Sequence, residues 1–227
     1  KQVSVQNIDF AITNEPQLLI QTQKGLALEA VCTLIPQPLE VFVSRVPLNE
    51  LKGKRIGHCS SGVGFSSIVL KAILEKQNIR LDEVELIYTR QGLMTTFISG
   101  QVDAVTNLYQ PYEVADLKNH TKDFFVFLFE ELGIPAFAAM ILVCHSKVPA
   151  EIQDKLLKAL QKSCEFLKAY PEEAWKSFIH HQAELNTPIN RQEWQNIISL
   201  FRVSRLDESN PRMGPLRNFL RRYELIT

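Results

Sequence analysis

The stretch "TNLYQPYEVADL" (106–117) sets Tyr109, Tyr112 and Glu113 within five positions, directly after the strand-like run "GQVDAV". Two phenol rings offer flat faces on which a ring compound can stack. A carboxyl group accepts from an exocyclic amine and, when protonated, donates to a ring nitrogen, so it can pair in-plane with an amino-substituted nitrogen heterocycle. Pro111 suits the first turn of a helix, which leaves Tyr109 and Gln110 in a short loop and puts Tyr112 and Glu113 in that first turn. A glutamate there also complements the helix dipole without any ligand. Both roles stand open at this point.

Two further segments have chemistry to offer. In "CSSGVGFSS" (59–67), Gly62 and Gly64 let backbone N–H groups approach a ligand, with Ser60, Ser61 and Phe65 beside them. The run has neither the lysine of a phosphate-binding P-loop nor the full dinucleotide spacing, so it reads either as a polar-group cradle or as a tight strand-to-helix turn with a serine cap. Arg90, in "IYTRQG", closes another strand, where a guanidinium takes an oxyanion bidentately or simply faces water. His58, His120, His145, His180 and His181 match no hydrolase or metal motif and read as core or surface histidines. Cys32, Cys59, Cys144 and Cys164 lack zinc spacing and read as small buried hydrophobes, with no pairing assignable from spacing.

The elements that must position these groups alternate. Strand-like runs are "IDFAITN" (8–14), 26–35, 39–46, "DEVELIYT", "QVDAVTN", "DFFVFLFEE" and "FAAMILVCHS"; helix-like runs lie between several of them, and from Pro149 onward the pattern is helical. This indicates an α/β chain with a helical tail. The late aromatics, including Trp175, Phe178 and Trp194, fall at helical spacing and read as core. "NIDFAITN" and "QVDAVTN" echo each other, and each delivers an asparagine, Asn14 or Asn107, at a strand's carboxyl end. Ligands of open α/β sheets bind at such ends. By that rule Thr13, Asn14, Glu15, Ser60, Ser61, Arg90, Asn107, Tyr109, Tyr112 and Glu113 line one cleft, although Asn14 and Ser61 suit helix caps equally well.

With 227 residues the chain can build one large domain or two small lobes. Twenty-five basic residues balance 25 acidic ones, which argues against a nucleic-acid partner. No apolar run reaches the roughly 18 residues of a membrane span. The opening "KQVSVQNIDF" has no apolar leader core, consistent with a cytoplasmic protein or with a mature or trimmed exported one.

The order "DFAITNEPQLLIQTQKGLALEAV", "LKGKRIGHCSSGVGF", "SGQVDAVTNLYQPYEV", "LGIPAFAAMILVCHS" and "LLKALQKSCEFLKAYPEEAWKSFI" resembles the NMT1/THI5-like family over roughly residues 7–226. The resemblance implies a type II periplasmic-binding-protein fold, two α/β lobes closing about a hinge. Lobe 1 would be 1–45 plus 140–227, incomplete at its N-terminus, and lobe 2 would be 46–139. It implies a non-enzymatic, monomeric, extracytoplasmic solute-binding protein without a cofactor, which hands a small ligand, an aminopyrimidine precursor of thiamine, to an ABC permease. Tyr109, Tyr112 and Glu113 match the family segment that grips the aminopyrimidine, the 60–65 loop matches its helix-terminal contact, and Phe137 matches an aromatic position near the hinge. Gln110-Pro111 stands where tryptophan and asparagine are expected. The family pattern has a strand, a helix and a second strand before the point where this chain begins, so a trimmed or partial sequence is expected. The pyrimidine synthases of the group use a sacrificial histidine, a nearby lysine and a cysteine-rich motif. Here Gln17, Thr13 and the single cysteine of "PAFAAMILVC" stand in those places. The alternatives are an alkanesulfonate or taurine binder using Arg90 and the 60–64 loop, a synthase using pyridoxal phosphate and iron, and a sensor module of the same fold.

Overall fold

Apolar runs rich in β-branched residues become strands, and the amphipathic runs between them become helices. The computed structural model describes residues 2–3, 5–59, 64–89, 92–206 and 213–227. The chain divides into two units, one of residues 1–37 and 137–213, the other of residues 38–136 and 214–227.

The first unit holds strands β1 (Phe10–Thr13) and β2 (Leu28–Ile35). Their order with two later strands, β8 (Met140–His145) and β9 (Ser204–Arg205), is β1-β8-β2-β9, and every pairing is antiparallel. Successive side chains of β8 point to opposite faces. Ile141 and Val143 pack with Leu18 and Ala138, while Leu142 and Cys144 pack with Val31, Cys32, Leu34 and Leu157. Both faces are therefore covered, which is why "MILVC" is apolar at every position. Leu18 comes from α1 (Glu15–Gln23), and Leu157 from α5 (Ala150–Ala169). Helices α6 (Pro171–His181) and α7 (Pro188–Ile198) complete the helical layer, with the rings of Trp175, Phe178 and Trp194 packed together at 5.4–5.8 Å between centroids.

The second unit holds β3 (Glu40–Ser44), β4 (Arg55–His58), β5 (Glu85–Tyr88), β6 (Ala104–Tyr109) and β7 (Phe125–Leu128). The order is β5-β4-β6-β3-β7: β4 runs parallel to β5 and β6, and β3 runs antiparallel to β6 and β7. Helices α2 (Phe65–Lys76), α3 (Leu93–Ile98) and α4 (Ala115–His120) belong here, as does α8 (Met213–Arg222) from Gly214 onward. The core gathers Val41, Val43, Phe97, Val105, Leu108, Val114 and Leu117. Asp103 fastens the start of β4 to the turn before β6. Its carboxylate accepts from the Arg55 backbone N–H at 2.9 Å and from the Arg55 guanidinium at 2.9 and 3.1 Å.

Four features differ from the sequence reading. Residues 38–45, expected in lobe 1, join the second unit because β3 pairs with β6 and β7. Residues 137–139, expected in lobe 2, join the first unit, where Ala138 packs against Leu18. Residues 214–227, expected in lobe 1, join the second unit, where Leu216 and Leu220 are buried and Phe219 meets Phe65 edge-on at 6.4 Å. The tail is also not wholly helical, since the two residues of β9 pair with β2.

Candidate functional site

The carboxyl end of β6 is shaped by an irregularity. Phe42 faces Thr106 and Val41 faces Leu108, so Asn107 is an extra residue in its strand, with φ at +67°. Asparagine is among the few residues that tolerate this left-handed conformation, and bulges re-aim the side chains that follow them. The buried Thr106 hydroxyl donates to Asn107 Oδ1 at 3.0 Å, which fixes the side chain over the bulge.

Beyond Tyr109 the chain makes a π-helical turn, Gln110–Val114, before α4 begins. Such turns are uncommon and concentrate at functional positions. Pro111 contributes no N–H there, and the Gln110 N–H is satisfied by Leu39 O at 2.8 Å. Glu113 turns back to the loop, its Oε2 accepting from the Tyr109 N–H at 2.8 Å. Tyr109 and Tyr112 stack on each other, centroids 5.2 Å apart and planes at 25°. The two tyrosines therefore form one slab rather than two separate walls, with Tyr109 still 37% exposed.

Two residues that the sequence did not single out complete this cluster. Glu40 opens β3 directly opposite Tyr109 in the antiparallel ladder. Side chains of such a pair project from the same face, with β-carbons about 5 Å apart. The Leu39 N–H donates to Glu40 Oε2 at 3.3 Å, and burial holds the Glu40 carboxyl above its ordinary range. Cys59 follows the last residue of β4 and is exposed, unlike buried Cys32 and Cys144 and half-buried Cys164, so the reading of all four as buried hydrophobes fails at this position. Although the residue is exposed as a whole, partial desolvation of its thiol raises the Cys59 pKa first, a backbone hydrogen bond opposes this, and the charges of Glu113 and Glu40 raise it further. Burial also raises the Tyr109 phenol, followed by Glu40, Glu113 and Cys59. Glu40, Cys59, Tyr109 and Glu113 thus form one electrostatic neighbourhood. An acidic residue at the start of an apolar strand was the only available signal for Glu40, and it says nothing about which strand end lies opposite.

The remaining expected site residues divide as follows. In the first unit, Thr13 ends β1 opposite Ile141, and Asn14 caps α1, its Oδ1 accepting from the Gln17 N–H at 2.8 Å. Glu15 is fully buried and grips Ala138 twice: its N–H donates to Ala138 O at 3.0 Å, and its Oε2 accepts from the Ala138 N–H at 2.7 Å. Phe137, just before that clamp, is buried. In the second unit, Gly64 precedes α2 and exchanges hydrogen bonds with the Ser67 hydroxyl at 2.8 and 2.9 Å, and Phe65 is buried against Phe219. Ser60, Ser61, Gly62 and Arg90 lie outside the described residues. The structure thus brings Asn107, Tyr109, Tyr112 and Glu113 together in one unit, and Thr13, Asn14, Glu15 and Phe137 in the other. An open groove of about 750 Å³ between α5 and α6, lined by Phe166, Leu167 and Phe178, is mainly apolar and has none of these residues. Among the described residues no helix is long and apolar enough to cross a membrane.

A chemistry can be assigned to the β6 end. A stacked aromatic slab is able to take the face of a ring, and carboxyls are able to accept from amino or protonated ring nitrogens.

Comparison with known proteins gives the family and the fold. A family model described as NMT1/THI5 like matches residues 1–174. A Haemophilus influenzae protein named provisionally for thiamine biosynthesis is 32% identical over 205 residues, spanning 87% of this chain and 65% of its own length. The formylaminopyrimidine-binding protein of Halalkalibacterium halodurans is 22% identical, spanning 91% of this chain and 64% of its own. A 4-amino-5-hydroxymethyl-2-methylpyrimidine phosphate synthase of Saccharomyces cerevisiae is 20% identical, spanning 87% of this chain and 62% of its own. The chain thus spans less than two thirds of the length of these relatives. The solved structure of the periplasmic aliphatic sulphonate binding protein of Escherichia coli superposes with a TM-score of 0.70 over 99% of this chain and 74% of its own, at 16% identity. The fold is that of the periplasmic binding proteins.

Proposed function

From the premise that the chain belongs to the NMT1/THI5-like family, we propose that it is a solute-binding protein that captures a small amino-substituted ring, of the aminopyrimidine class, for delivery to an ABC importer. The observation that carries this reading is the Tyr109–Tyr112 slab with Glu113 seated at its base. The relative named for formylaminopyrimidine binding supports the ligand class. Capture without catalysis is favoured over pyrimidine phosphate synthesis because Gln17 and Thr13 stand where the synthases of the resemblance carry their histidine and lysine. Action outside the cytoplasm follows from the same reading, since delivery to an importer takes place there.

Thermal stabilisation by a panel of aminopyrimidines and alkanesulfonates tests the ligand class. A shift with aminopyrimidines is expected; a shift with sulfonates alone would overturn the assignment in favour of an oxyanion binder. Formation of a pyrimidine product on incubation with pyridoxal phosphate and iron would overturn the binding role. Glu113→Gln keeps an oxygen able to accept from the Tyr109 N–H while removing the charge, so it should weaken aminopyrimidine binding by about 1–3 kcal/mol with little loss of stability. Unchanged affinity in calorimetry would remove Glu113 from the site.

A further inference from the structure

Glu40 lies outside the segment around Tyr109 and Glu113 that matches the family. It is the ladder partner of Tyr109, on the strand antiparallel to β6, and so its side chain leaves the sheet on the same face as that ring. Glu113 reaches the same tyrosine from the other direction, through the 2.8 Å bond to its N–H. Tyr109 is therefore flanked by two carboxyl-bearing residues, one from the strand beside it and one from the turn after it, while its ring stacks on Tyr112 and stays partly exposed.

We infer that Glu40 is a charge-selecting residue of the ligand site, making the tyrosine slab prefer a ring that carries positive charge over a neutral ring of the same shape, and reject oxyanions. The inference rests on the binding reading proposed above and deepens it. With both ionised, the Glu113 carboxylate at the Tyr109 N–H and the Glu40 carboxylate on its ladder partner leave a net negative field around Tyr109, and attraction to a ring cation grows as the site is desolvated. The same field opposes a sulfonate, since like-charge juxtaposition is costly in a partly buried site. Glu40 is half-buried, so solvent screens its charge less than it would a fully exposed carboxylate.

The test uses three probes on the purified protein, with affinities from calorimetry at one pH: 4-amino-2-methylpyrimidine, its permanently charged N-methylpyrimidinium salt, and ethanesulfonate. The wild type should prefer the pyrimidinium to the neutral ring by about tenfold and bind the sulfonate weakest. Glu40→Gln, nearly isosteric and able to keep the bond from the Leu39 N–H, should lose most of that preference while its affinity for the neutral ring changes by less than about threefold. A merely structural role would lower both affinities together, and that result, or an unchanged ratio, overturns the inference while leaving the binding reading intact. A wild type that binds neither ring overturns both. If Glu40→Gln melts far below the wild type, Glu40→Asp, which retains the charge, decides: restoration of the cation preference supports the inference, and its absence refutes it.

Discussion

Asn107 permits a test of how the site's backbone is held. Its φ of +67° lies where an ordinary L-residue is strained by about 1–2 kcal/mol. Consider Asn107→Ala and Asn107→Gly. Both remove the Oδ1 that accepts from the buried Thr106 hydroxyl, so that loss, about 1–3 kcal/mol, is common to the two variants. What separates them is the backbone. Alanine keeps the strain of the left-handed conformation, whereas glycine escapes it at an entropic cost of about 0.5–1 kcal/mol. The glycine variant should therefore be the more stable by about 0.5–1 kcal/mol, the reverse of the usual order within a strand. Urea titration followed by intrinsic fluorescence reads this as a higher midpoint for Asn107→Gly at an unchanged slope. Equal midpoints, or a higher one for alanine, would refute the claim that a left-handed bulge sets up the Tyr109 turn. Because the bulge aims Tyr109, Asn107→Ala should also weaken ring binding more than Asn107→Gly does.

Other outcomes follow from the same geometry. The Arg55 hydrogen bonds hold the Asp103 carboxyl below its ordinary value, so its stabilising effect is present above the unfolded pKa and is lost as pH falls through the folded one. Wild-type stability should thus decline more steeply below about pH 4 than that of Asp103→Asn, which itself should be destabilised by about 1–3 kcal/mol at neutral pH, as measured by denaturant titration; parallel acid profiles would contradict this. Leu220→Ala opens a cavity at a fully buried position of α8 and should cost about 2–5 kcal/mol in the second unit. Limited proteolysis should then show earlier cleavage within residues 38–136, and cleavage confined to the C-terminal segment would argue against a structural role for the helix.

Much of the architecture is legible in the residues because burial writes itself locally. The period-two division of "MILVC" between two covered faces and the Asn14 cap are effects of neighbours in sequence. Which sheet a strand joins is a different kind of fact. "LEVFVS" declares a buried strand, but its partners β6 and β7 are distant in sequence, and nothing local distinguishes them from β2. The amphipathic α8 likewise shows that it packs, and not on what. The site divides along the same line. Tyr109, Tyr112 and Glu113 are close enough in sequence to be read as one group, although the stacking of the two tyrosines depends on a π-helical turn that Pro111 alone does not specify. Glu40 enters only through strand register, which the sequence does not display.

The two units are interleaved along the chain, and this shapes how the protein must be made. β8, the middle partner of β1 and β2, is translated only after nearly all of the second unit, and α8, which covers Phe65, only after all of the first. Neither unit can therefore finish folding on the ribosome while the other is still unmade, and each holds apolar strand faces without their partners in the meantime. Domains normally fold in order of synthesis, and transiently exposed apolar surface invites aggregation. For this chain completion of the two units is therefore close to simultaneous, since only residues 214–227 of the second unit follow the last residue of the first.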